Sequence, residues 1–136
     1  MVSVLTMSEV ITLSVPAEAG YLTVIRTAAA AVAGRLGATV DDIEDLRIAV
    51  NEACSVLLTQ ADPGSELSCR FEVAEGRLGF RVAAASVQGE VPEPGSFAWM
   101  VLESLTGEVV VGTDTDGGRR TSHVAFTRAV GVPENA

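Results

Sequence analysis

The chain predicts an α+β two-layer sandwich with the element order β-α-α-β-β-α-β-β, on three observations. Two long segments near the N-terminus carry apolar residues at helical spacing, four later segments alternate apolar and polar residues, and Pro/Gly turn signals separate them. Helical segments with one apolar face and strands with one apolar face bury each other best as a layer of helices on one side of an antiparallel or mixed sheet. With 136 residues, 48% of them apolar, the chain is long enough for one core and too short for two ordinary ones.

Val10 to Val15 (VITLSV) alternates as a strand that Pro16 ends. Ala17 to Leu36 is Ala-rich, with Leu22, Ile25, Ala29, Val32 and Leu36 at helical spacing and Gly37 as a stop. Thr39 is a plausible N-cap for the second helix, and Asp41, Asp42, Glu44 and Asp45 suit the positive end of its dipole. That helix should stop near Asp62-Pro63-Gly64. Glu66 to Ala74 and Arg77 to Ala85 read as a hairpin about Glu75-Gly76. Ser86 to Pro94 reads as an irregular loop, and Phe97, Met100, Val101 and Leu105 as one face of a short helix. Glu108 to Gly112 and Thr121 to Arg128 should be the closing strands, turned at Gly117-Gly118. The domain is expected over 8–130, with 1–7 an extension, Met7 an alternative start, and 131–136 a tail.

Nine basic residues, all arginine, against eighteen acidic ones give a net charge of -9. Such a surface disfavours non-specific nucleic-acid or membrane-surface binding and suits a basic protein partner. No apolar run approaches the about 18 residues of a membrane span, and Met1 to Thr6 lacks the features of a signal peptide, so a cytoplasmic location is expected. Cys54 and Cys69 are too few and too isolated for a disulfide framework or metal site and should be core thiols. No metal site is expected. His123, the only histidine, lies in the last strand and reads as structural. Asp114 and Asp116 lack the remaining ligands of a calcium loop and read as a solvated turn.

On the second helix, Ile43, Leu46, Ala49, Val50, Ala53, Cys54, Val56 and Leu57 share one arc, with Asp42, Glu44, Asp45, Asn51 and Ser55 opposite. Glu52 lies at the border of that arc. A helix-edge carboxylate that reaches solvent is the plain reading of it. The wording Asp45-Leu-Arg-Ile-Ala-Val-Asn-Glu-Ala-Cys54 gives another: it resembles the N-box helix of the RsbW/SpoIIAB-like anti-sigma-factor serine kinases, which share the histidine-kinase/Hsp90-like ATPase fold. The resemblance runs from Val10 to Arg128.

That resemblance implies Glu52 as catalytic base, but Val56 stands where the family has its magnesium-binding Asn. Where the family strand ends in an adenine-binding Asp, this chain reads Ala83-Ala-Ala-Ser-Val-Gln-Gly-Glu90, with Ser86 or Gln88 only weak substitutes. Of the family's lid glycines only Gly95 stands before the short helix, where Ser96 either binds an anion or simply caps the helix. If each lost contact removes about 2 kcal/mol, tight ATP binding falls by about 6 kcal/mol, roughly four orders of magnitude.

The resemblance implies a degenerate family member: an anti-sigma factor that sequesters an alternative sigma factor and is countered by a STAS-domain anti-anti-sigma factor, with Tyr21, Leu22 and Arg26 on the contact surface and a homodimer as the assembly. No cofactor is needed for sequestration. The alternatives are an active ATP- and magnesium-dependent serine kinase, with Glu52 as base and Gly95 and Ser96 at the nucleotide, and a small-molecule sensor on the same fold. Trp99 is expected in the core, or as a cap over the nucleotide groove.

Overall fold

The computed structural model describes residues 9–131 apart from Val87, and only the backbone of Asp116. The expected extension and tail lie outside the described residues. The order is β1 (Glu9–Pro16), a 3-10 turn (Ala19–Tyr21), α1 (Leu22–Arg35), α2 (Val40–Leu58), β2 (Glu66–Ala74), β3 (Arg77–Ala85), α3 (Phe97–Leu105), β4 (Glu108–Asp116) and β5 (Arg119–Ala129). The five strands lie in the spatial order β1-β2-β3-β5-β4, every neighbour antiparallel. The expected two layers and element order are found.

Alternation places the core. Leu67, Cys69 and Phe71 of β2, Leu78, Phe80, Val82 and Ala84 of β3, and Val124 and Phe126 of β5 are buried on the helix side. Phe71, Phe80 and Phe126 stack across these three strands with ring centroids 5.1 and 5.4 Å apart. Burial of each such ring contributes about 1.5–3 kcal/mol. From above, α1 supplies Leu22, Ile25, Ala29 and Ala33, and α2 supplies Leu46, Ala49, Val50, Ala53, Cys54 and Leu57. Alanines at the facing positions let the two helices approach closely.

Thr39 caps α2 as expected: its hydroxyl accepts from Asp42 N–H, and the Asp42 carboxylate accepts from Thr39 N–H, a reciprocal capping box. The structure differs at four boundaries. The first helix starts as a 3-10 turn at Ala19 because Glu18 gives no side-chain cap. α2 ends at Leu58, short of the Asp62-Pro63 signal, because Thr59 and Gln60 form a turn instead. β4 continues to Asp116 and β5 starts at Arg119, since pairing such as Asp114 with Thr121 extends the hairpin to Gly117-Gly118. Asp114 is therefore a strand residue, not part of a solvated turn.

Asp42 and Asp45, expected on the solvated side, instead bind Arg128 of β5, at 2.8 and 3.1 Å. Burial pushes the Asp42 carboxyl up, but hydrogen bonds from Arg128, Gly131 N–H and Thr39 outweigh it and hold its pKa at about 2. Arg128 also donates to the Leu105 carbonyl, so one guanidinium joins α2, α3 and β5.

Candidate functional site

Two of the sequence-predicted site residues, Glu52 and Ser96, converge on one groove. Glu52, Ser55 and Val56 of α2 and Thr59 and Gln60 of the turn that follows it face Glu90, Val91 and Pro92 of the β3-α3 loop and Ser96, just before α3, and Ala98 in its first turn, around about 410 Å³. Successive turns of α2 and its C-cap present Glu52, Val56 and Thr59 on one side, as i, i+4 and i+7 spacing requires. Val56 is thus a partly exposed groove wall rather than a core residue, a correction to its place on the buried arc. The border position of Glu52 explains its half-buried setting. No ion-pair or hydrogen-bond partner for its carboxylate is found among the described residues.

Ser96 caps α3 by accepting from Trp99 N–H, which uses the hydroxyl locally while leaving it on the groove rim. Gly95 adopts φ +93 immediately before that cap, a left-handed conformation suited to glycine. It is not among the residues that line the groove. Trp99 is half-buried and neither lines the groove nor joins the core, where α3 contributes Leu102. Both expectations for Trp99 are corrected: the short helix turns Leu102 inward and leaves Phe97 and Met100 exposed.

The far end of the groove is closed by hydrogen bonds that the sequence does not reveal. The Gln60 carboxamide oxygen accepts from Ser86 Oγ–H at 3.0 Å and from Glu90 N–H at 2.7 Å, and its nitrogen donates to the Glu90 carbonyl. Gly89 N–H donates to Ser86 Oγ, and Arg120 donates to the Gln88 carbonyl at 3.5 Å. Ser86 itself is buried. A Cβ at Gly89 would come within 2.2 Å of Arg120 Cδ, and φ +63 at that residue also favours glycine.

Tyr21, ending the 3-10 turn, and Val24 of α1 are exposed, while Leu22, the first residue of α1, is 8% exposed and packs into the core. Leu22 thus takes the inward place that its helical spacing with Ile25 and Ala29 gives it, and leaves Tyr21 and Val24 as the exposed apolar surface. Arg26 is half-buried and donates to Asn51 Oδ1 of α2 and to Thr23 Oγ1. Asn51, expected to face solvent, is the acceptor that holds it.

The remaining candidates lie elsewhere. His123 sits on the outer sheet face over Gly112, with Nδ1 3.6 Å from Asp114; a Cβ at Gly112 would meet its ring at 2.8 Å. Burial and the Arg81 charge lower its pKa, and Asp114 opposes them. Cys54 and Cys69 are free and buried as expected, yet they are not isolated: α2 and β2 bring the thiols into hydrogen-bonding contact. That contact and burial push the Cys54 thiol up, away from a reactive thiolate. Among the described residues no cluster of three or more His, Cys, Asp or Glu is placed to hold a metal ion.

The fold and groove define an ATPase-type domain, and the chain belongs to the histidine kinase-like ATPase domain family, whose pattern it matches over residues 15–121. It is 44% identical over 79 residues to the serine-protein kinase RsbW of Bacillus subtilis, covering 56% of this chain and 49% of that protein. It is 36% identical over 101 residues to the RsbW of Bacillus mycoides, covering 73% of this chain and 58% of that one. The chain is thus an RsbW-like family member that spans about half the length of the curated relatives it matches.

The groove offers carboxylate oxygens at Glu52 and Glu90 but no side-chain oxygen at Val56, one turn from Glu52, and no basic group to meet phosphate charge. Magnesium demands near-octahedral oxygen ligands.

Proposed function

We propose that this protein is an anti-sigma factor that acts by sequestration: it binds an alternative sigma factor, denies it to core RNA polymerase, and releases it when a STAS-domain protein competes for an overlapping surface. The observation that carries this reading is the groove, which retains Glu52 but has Val56 beside it and no basic residue in its lining, within a family member similar to RsbW kinases. Sequestration needs a surface and no phosphoryl transfer. Tyr21 at the end of the 3-10 turn and Val24 and Arg26 on α1 supply an aromatic, an aliphatic and a cationic contact, a combination suited to an interface centre. The net charge of -9 favours encounter with a basic partner.

Titration of the purified protein with candidate sigma factors, beside a titration with ATP and magnesium, tests the reading. Sigma-factor binding without nucleotide binding is the expected result. Arg26→Glu should weaken the sigma-factor complex, with circular dichroism to separate this from loss of the Arg26 bond to Asn51. Equal affinity of mutant and wild type removes α1 from the interface. Phosphate transfer to a STAS partner, abolished by Glu52→Ala, would overturn sequestration in favour of a serine kinase.

A further inference from the structure

The groove differs from a nucleotide site not only in what it lacks but in what fills it. At its far end a small polar socket is formed by the buried Ser86 hydroxyl and by the N–H and C=O of Glu90. A primary carboxamide presents an N–H donor and an oxygen acceptor side by side in one plane. Gln60 inserts that group into the socket and engages all three partners. The Watson-Crick edge of adenine also presents an N–H donor beside an acceptor, the pattern that lets amides and adenine pair in two-point fashion.

We propose that Gln60 closes this groove to adenine nucleotides by occupying, with its own carboxamide, the hydrogen-bonding socket that a base edge would require. The proposal rests on the groove's place in the ATPase-type fold and deepens the sequestration reading by naming the residue that excludes the base. Two neighbouring features hold the closed arrangement. Gly89 N–H fixes the Ser86 hydroxyl, and Ser86 N–H donates to the Arg120 carbonyl at 3.0 Å, which ties the loop to β5. Asp62 N–H donates to the Ala85 carbonyl, so the chain just after Gln60 is anchored to the end of β3. The loop is thereby set against α2 by contacts made entirely within the chain. A base could enter only by expelling Gln60 and leaving the buried Ser86 hydroxyl and the Glu90 main chain to the newcomer.

Adenosine is the informative probe, because it carries no phosphate and so removes Val56, the metal and the groove carboxylates from the question. Wild type, Gln60→Ala and Gln60→Ser are titrated with adenosine and followed by the amide resonances of Ser86, Gly89 and Glu90. In wild type these resonances should not move at millimolar adenosine. In the two variants they should move saturably, with affinity raised about tenfold or more over any wild-type response. Gln60 is only half-buried, so the variants should fold, and melting by circular dichroism verifies this. The wild-type titration needs no variant: adenosine-dependent shifts there overturn the proposal. So does equal behaviour of wild type and variants, whether both bind or neither does. A failed sigma-factor titration leaves this result intact, and a failed adenosine titration leaves sigma-factor sequestration intact.

Discussion

The two ends of α2 are made from similar residues and put to opposite uses. At its N-terminal end every acidic side chain that turns inward is matched: Asp42 closes a capping box and, with Asp45, receives Arg128. Ten residues on, Glu52 is half-buried with no partner among the described residues, beside an open groove. A carboxylate saturated by hydrogen bonds stabilises the folded state, whereas one left in a groove contributes little to stability and stays available for a ligand or partner. The contrast separates architecture from function within one helix, and four measurements can break or sharpen it.

The largest effect should come from Arg128→Ala, which strands the low-exposure Asp42 carboxylate and frees the Leu105 carbonyl; a loss of about 3 kcal/mol is expected in urea denaturation. A loss below about 1 kcal/mol would mean that the N-terminal end is no better anchored than the groove. Acid should act next. Because the folded Asp42 pKa of about 2 lies below the ordinary 3.8, its stabilisation is present above that ordinary value and is lost as pH falls toward 2. The shift corresponds to about 2 kcal/mol, readable as a drop in melting temperature across that window that is absent in Asp42→Asn. Thr39→Ala removes one half of the capping box and should cost about 1 kcal/mol. Glu52→Gln should change stability by less than about 0.5 kcal/mol in either direction. Clear destabilisation by Glu52→Gln would show that the groove carboxylate is structural after all.

The same contrast explains what could be read from the residues alone. The hairpin bounds at Glu66–Ala74 and Arg77–Ala85, the Thr39 cap and, apart from Val56, the apolar arc of α2 are local signals of alternation, capping and periodicity, and the structure places them as expected. Glu52 and Ser96 were legible because their neighbours spell a family pattern, and they do meet across one groove. Arg128 reaching Asp42 across 86 positions, Gln60 reaching Glu90 across 30, and the contact between Cys54 and Cys69 carry no local signal, since long-range partners are chosen by how the layers stack. Trp99 was misplaced for a related reason. The short α3 is apolar on most sides, so its residues alone do not say which one turns inward, and packing against the layer selects Leu102.

The sheet order has a consequence for how the chain is made. Among the described residues β5 follows every other strand in sequence, yet it lies between β3 and β4 and carries Arg128. As the polypeptide emerges during synthesis, β3 and β4 have no edge to share, and Asp42 waits for a cation that arrives with β5. A nascent chain ending near Gly118 holds an open slot in its sheet and an uncompensated carboxylate beneath it, so the domain can close cooperatively only once β5 has emerged.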